Sequence, residues 1–227
     1  MELLFDTADL DVLERSLSVY PVSGVTTNPT IIRKAKIEAF FPHLLKMKEM
    51  IGERSLHVQV VGTEREAIEK DARRIWEVLG KETFVKIPVT REGLAATKAL
   101  KAEERDAHIT ATAIYTTLQG ELALMSGADY LAVYYNRMLN NAIDPEKVIS
   151  SLACSIRESG SSCKILAASF HNVAQVTEAY RAGAQACTVD PLLLDQGLAM
   201  PSIGKAVDDF SHDWEIMYGN VSLSEMR

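Results

Sequence analysis

The position most loaded with chemistry is a lysine inside an apolar strand pattern, Thr83-Phe84-Val85-Lys86-Ile87-Pro88. Burial strips solvent from an ammonium, so a lysine among apolar side chains has a lowered pKa and presents free amine near neutral pH. Free amine is what attack on a carbonyl carbon requires, and the product is an imine. Period-two alternation turns Val85 and Ile87 to one side of the strand and Phe84, Lys86 and Pro88 to the other. A structural alternative stands beside the chemical one: Lys86 snorkels to water or pairs with Asp6.

Other polar residues interrupt strand-like runs near their C-terminal ends: Asp6, Thr26, Asn28, Gln59, Thr112, Tyr134 and Ser169. In Tyr130-Leu131-Ala132-Val133-Tyr134 the alternation sets Ala132 and Tyr134 on one face, and turns Tyr135 to the other. Tyr134, Gln59 and Thr112 are of the right types to hold a water and shuttle a proton beside an iminium carbon, help worth about 10²–10⁴ in rate. Equally, they form a mutually hydrogen-bonded polar layer. Arg137 with Ser169, followed by the amides opening a helix at Asn172, has the makings of a phosphate clamp. The plainer fate of Arg137 is a surface carboxylate. His43, His57, His108, His171 and His212 are scattered without ligand spacing, so no metal is expected.

These residues need a frame that brings strand ends together. Strand-like cores recur at 3–6, 24–28, 57–61, 83–89, 108–114, 130–135, 164–169 and 186–189, with helical patterns between them, among them 8–19, 64–79 and 172–182. In 64–79, Ile68, Ala72, Ile75 and Leu79 share one face. Regular alternation implies parallel strands with right-handed crossovers. Eight strands and no nucleotide-type glycine loop favour closure. The expected fold is α/β, a single (β/α)8 TIM barrel over 1–227. It carries an extra C-terminal helix at 205–218 and a polar tail at 219–227 without fixed structure. In such a barrel the C-terminal strand ends form the active site.

The totals agree with this. The chain has 227 residues, 47% hydrophobic and 24% charged, enough for one globular core. A net charge of −7 argues against nucleic acid as a partner, while leaving room for a small anionic substrate. Cys154, Cys163 and Cys187 are odd in number and lack paired spacing, which suits idle thiols in a reducing cytoplasm. MELLFDTADL does not read as a signal peptide, and no run is long and apolar enough to span a membrane.

Two long segments resemble a known family. Gly24-Val25-Thr26-Thr27-Asn28-Pro29-Thr30-Ile31-Ile32 is similar to the N-terminal transaldolase signature, and Val85-Lys86-Ile87-Pro88-Val89-Thr90-Arg91-Glu92-Gly93-Leu94 to the segment around its Schiff-base lysine. Asp6-Thr7, Ala167-Ala168-Ser169-Phe170 and Asp213-Trp214 also fit. Within the family the chain resembles the short fructose-6-phosphate aldolases, which carry Gln and Tyr where this chain has Gln59 and Tyr134; transaldolases carry Glu and Phe.

The resemblance implies that Lys86 forms the imine and Asp6 orients hydroxyls and helps proton transfer. Tyr134, Gln59 and Thr112 handle a catalytic water, Thr26 and Asn28 hold donor hydroxyls, and Arg137 and Ser169 take a phosphate. It implies no cofactor, sugar-phosphate substrates and a homo-oligomer, a pentamer or a decamer in which two five-membered rings pair through the C-terminal helix. The implied activity is reversible cleavage of fructose 6-phosphate to dihydroxyacetone and glyceraldehyde 3-phosphate. The rivals are dihydroxyacetone transfer between sugar phosphates and sugar-phosphate binding without chemistry. Val133 stands where the aldolases usually have proline, and the stretch Met138–Asp144 lacks their usual glycine.

Overall fold

The structure is a computed structural model that describes residues 1–226. Its core is a closed barrel of eight parallel strands in sequence order: β1 (Glu2–Asp6), β2 (Gly24–Thr26), β3 (Ser55–Gln59), β4 (Phe84–Pro88), β5 (Ile109–Ile114), β6 (Tyr130–Tyr134), β7 (Lys164–Ala168) and β8 (Ala186–Val189). β8 closes on β1 with Leu4 opposite Thr188. The crossovers carry α1 (Leu10–Leu17), α2 (Pro29–Lys34), α3 (Phe40–Ile51), α4 (Arg65–Leu79), α5 (Arg91–Glu103), α6 (Thr117–Met125), α7 (Tyr135–Asn140), α8 (Pro145–Ser159) and α9 (Val173–Arg181).

The barrel interior follows from alternation. Leu4, Tyr130, Leu166 and Ala186 form one buried cluster with Phe84 packed on it, and His57 stacks on Phe84 with ring centroids 4.5 Å apart. Two residues further along each strand lie Asp6, Ala132, Ala168, Thr188, Lys86 and Gln59, and all six line one cavity. The apolar layer is therefore the floor under the polar one. Val85, Ile87, Leu131 and Val133 point the opposite way and are fully buried, as the sequence predicts. The α4 stripe of Ile68, Ala72, Ile75 and Leu79 is likewise buried.

Helix starts are set by side-chain caps: Asp9, Asn28, Thr90, Thr116, Asp144 and Asn172 each accept from an amide in the first turn. Asn28, predicted at the end of β2, belongs instead to α2. Proline at 29 holds Asn28 extended (φ −157°, ψ 166°), and its Oδ1 accepts from the Ile31 amide at 3.0 Å. Ser169, predicted within β7, lies just past it in the left-handed region at φ 64°. The glycine-free stretch after Arg137 turns on Ala142, also left-handed at φ 57°.

One glycine joins fold to site. A Cβ at Gly93 would fall 1.9 Å from the Pro88 carbonyl oxygen, because α5 begins against the end of β4. Gly93→Ala must push α5 off the strand that carries Lys86. An overpacking cost of about 1–3 kcal/mol is expected, read as a lowered urea midpoint at unchanged slope.

The chain divides into two compact units, Met1–Pro191 and Leu192–Arg227. All eight strands lie in the first. α10 (Pro191–Leu198) starts on the last residue of the first unit, and α11 (Pro201–Tyr218) lies in the second. The final helix therefore starts four residues before the predicted 205, where Pro201 takes a first-turn position that needs no amide donor. Of the polar tail at 219–227, expected to lack fixed structure, the residues through Met226 make defined contacts, and Arg227 lies outside the described residues. The Trp214 indole N–H donates to the Val221 carbonyl at 2.9 Å, and Ser222 with Glu225 makes a capping box over a 3-10 turn at Leu223–Glu225. Trp76 on α4 is buried, with its indole N–H on the Thr83 carbonyl. Among the described residues no helix is long and apolar enough to cross a membrane.

Candidate active site

Lys86 is the middle residue of β4, 4% exposed. Its Nζ donates to the Thr27 carbonyl oxygen at 2.8 Å. Burial lowers its pKa from the ordinary lysine value, and the Asp6 carboxylate opposes that shift without cancelling it. The lysine does not snorkel. It lines the cavity and feels the Asp6 charge, but its hydrogen bond goes to Thr27 and not to Asp6.

Asp6 ends β1 half-buried on the cavity wall; desolvation raises its carboxyl pKa, while the Lys86 charge and the Thr26 hydroxyl pull it down. Thr26, at the end of β2, is fully buried and is not part of the cavity lining. Its Oγ1 lies 2.6 Å from Asp6 Oδ1 and 2.6 Å from Thr188 Oγ1. The expectation that Thr26 holds substrate hydroxyls directly thus meets a hydroxyl already engaged beneath Asp6. Asn28 does line the cavity, with its oxygen committed to the α2 cap.

Across the cavity the Tyr134 and Thr112 hydroxyls are 2.9 Å apart. Burial raises the Tyr134 pKa above the ordinary phenol value, against the Thr112 hydrogen bond, so the group stays a neutral proton donor through neutral pH. The pairing of β5 with β6 slips between Ala111 and Ile114, and Ala113 is left-handed at φ 60°. That bulge lets consecutive residues turn inward: Thr112 reaches Tyr134 while Ala113 lines the cavity. Gln59 completes the ring. Its Oε1 is the one buried side-chain polar atom without a hydrogen-bond partner among the described residues, an acceptor left unsatisfied beside the cavity that Gln59 lines.

The mouth is cationic. Arg137 lies over the Tyr134 ring, 4.7 Å from its centroid, and reaches the Tyr115 hydroxyl at 3.5 Å. No carboxylate pairs with Arg137 among the described residues, so the surface ion pair weighed from sequence does not form. Ser169 and His171 lie on the same lining, as does Lys34 from the end of α2. The amides at the start of α9 contribute less than expected: Asn172 caps the Gln175 amide, and the His171 amide donates to Gln175 Oε1. Asn136, held by Gln175 at 2.9 Å, fixes α7 and α9 together beneath Arg137.

Of the nine residues named from sequence, seven line one cavity of about 570 Å³, and Thr26 and Thr112 stand behind it, bonded to Asp6 and Tyr134. Lys34, Asn140, His171 and Thr188 also line it and were missed. Thr188 had a signal, being the polar residue in an apolar β8; Lys34 had none, since a lysine ending a short helix reads as solvated surface. The arrangement can form an imine at Lys86, move protons at Asp6 and Tyr134, and hold an anion at the mouth. No cluster of three His, Cys, Asp or Glu side chains suited to a metal occurs among the described residues.

The family model described as Transaldolase/Fructose-6-phosphate aldolase matches residues 3–223 of this chain. A curated relative, the probable fructose-6-phosphate aldolase of a Streptococcus pneumoniae strain, is 49% identical over 224 residues, covering 98% of this chain and 100% of the relative.

Proposed function

This chain belongs to the transaldolase/fructose-6-phosphate aldolase family, and from that premise we propose that it is a class I aldolase. It reversibly cleaves fructose 6-phosphate to dihydroxyacetone and glyceraldehyde 3-phosphate. One observation carries the reading: a buried, pKa-lowered lysine shares a cavity with a carboxylate and with a phenol kept protonated by burial.

The Lys86 amine adds to the ketone carbon, and the carbinolamine loses water to give an iminium. The iminium draws in the electrons of the adjacent carbon–carbon bond as the neighbouring hydroxyl gives up its proton, and the aldehyde leaves. The enamine is then protonated on carbon, hydrolysed and released as dihydroxyacetone. Asp6 stabilises the cationic nitrogen and serves the proton transfers. Tyr134, oriented by Thr112, supplies the proton that frees the enamine, with Gln59 accepting from the water or hydroxyl involved. Asn28 binds donor hydroxyls, and Thr26 acts on them through Asp6.

Arg137 and Ser169 hold the phosphate, and Lys34 adds positive potential at the mouth. Arg137→Ala should raise KM for phosphorylated aldehydes about 10- to 100-fold, the worth of a charge-assisted hydrogen bond, and leave unphosphorylated aldehydes nearly unchanged. An equal rise for both would remove the clamp.

The test is release of glyceraldehyde 3-phosphate from fructose 6-phosphate alone, repeated with erythrose 4-phosphate. Steady release without acceptor supports the aldolase; release only with acceptor makes this a transaldolase. The relative's printed name and the Tyr134 phenol favour the first. The reading extends to a cytoplasmic homo-oligomer, single-domain in each copy. It is supported by three free cysteines and by exposed apolar residues on α11, among them Val207, Phe210 and Ile216.

A further inference from the structure

Thr26 Oγ1 stands between two oxygens at 2.6 Å each, Asp6 Oδ1 and Thr188 Oγ1. A hydroxyl has one proton to give. When Asp6 is ionised it can only accept, so the Thr26 proton must point to Asp6. Thr188 must then donate to Thr26, because the short contact between the two hydroxyls otherwise has no proton in it. The direction of the whole chain is fixed by its carboxylate end.

We propose that Thr188, on β8, is a positioning residue for Asp6: it donates to Thr26, which donates to Asp6, and this hydroxyl chain holds the carboxylate ionised and fixed on the wall of the cavity that Lys86 also lines. The proposal rests on the Schiff-base reading and assigns a role to a residue that reading leaves idle. Both threonines are buried, Thr26 fully and Thr188 at 2% exposure, so water is a poor replacement for either partner. Hydrogen bonds in series polarise one another, so a donor behind Thr26 strengthens the Thr26–Asp6 bond.

Closure of the barrel explains why this contact exists. β1 pairs with β2 on one side and β8 on the other, with Asp6 opposite Thr26 and Leu4 opposite Thr188. Inward residues of the first, second and last strands thus converge on one carboxylate. Burial works against its ionisation, and so does Asp190 beyond β8. Lys86 on β4, Arg137 on α7 and the Thr26 hydroxyl favour it. Tyr134 on β6 faces the same charge. Within that balance the hydroxyl chain is the part that a single neutral substitution can remove.

Thr188→Val keeps shape and removes the donor. The pH profile of kcat for fructose 6-phosphate cleavage should then move its acid limb upward by about half a unit to one unit, the scale of one hydrogen bond. Borohydride trapping of dihydroxyacetone, governed by the Lys86 amine, should not share that upward shift, because a neutral Asp6 eases loss of the Lys86 proton. Thr188→Ser, which restores the hydroxyl, should return the limb to its original position. Sign follows from the chain: losing a bond to the charged form makes Asp6 easier to protonate, so activity is lost at higher pH than before.

An unmoved acid limb in Thr188→Val, or a shift that serine does not reverse, would overturn the proposal. Should the valine variant fold poorly, Thr188→Ala is read against Thr188→Ser in the same assay, with the same two outcomes. If the wild-type protein itself gives no trapped adduct, it is the Schiff-base reading that fails, and the two failures are told apart.

Discussion

Lys86→Met is expected to abolish turnover, by on the order of 10⁴-fold or more given what loss of a covalent nucleophile costs, and to eliminate borohydride-trapped adduct. Methionine fills nearly the same volume and carries no charge, so the barrel should keep its circular dichroism spectrum. Without the Lys86 charge, burial raises the Asp6 carboxyl further, and that group goes neutral rather than leaving an unpaired charge inside. Turnover surviving in this variant would end the imine mechanism.

The same lysine predicts a pH dependence in the wild-type protein. Because burial lowers its folded-state pKa, trapping should rise with pH and reach its plateau below the range of an exposed lysine. Stability has a matching sign. Between the lowered folded value and the ordinary unfolded one, the unfolded chain binds the extra proton, so stability rises as pH rises through that window. Lys86→Met should flatten this slope, which chemical denaturation across the alkaline range would measure.

Tyr134→Phe is the second large effect. Free dihydroxyacetone release should fall about 10²-fold, the low end for loss of a positioned general acid, while transfer to an added acceptor aldehyde falls less. The reason is a partition. Both outcomes share the enamine; only release needs a proton on its carbon, and the phenol held by Thr112 at 2.9 Å is placed to give one. Burial keeps that phenol protonated above its ordinary range, so any alkaline limb due to Tyr134 should lie above the usual phenol value. Equal losses in release and transfer would remove Tyr134 from this role.

Much of the barrel was legible because its pattern is local. Val85, Ile87, Leu131 and Val133 face outward as alternation requires, and strand positions were read to within two residues because each strand is a short β-type run between helical patterns. Less legible were the strand ends. Asn28 and Ser169 look like strand residues in one dimension, yet a proline after one and a left-handed turn at the other end the strands earlier. The start of α11 and the ordered turn after it were missed because Pro201 reads equally as a breaker and because the tail's contact with Trp214 is not a matter of composition.

The sequence by itself picked out the residues proposed to carry the chemistry, a lysine, a carboxylate and a phenol in or at the ends of apolar strands, with the lysine inside one of the two signatures that resemble the family. Period-two alternation is a property of the extended backbone, so it already says which of these side chains share a face. Tertiary structure alone decided how they are held. Barrel closure puts Thr188 from β8 behind Thr26 from β2, residues 162 apart in the chain, and a bulge at Ala113 sets Thr112 against Tyr134. Burial set the direction in which the pKa values of Lys86, Asp6 and Tyr134 move. Desolvation is set by everything that surrounds a group, and no stretch of sequence contains its own surroundings.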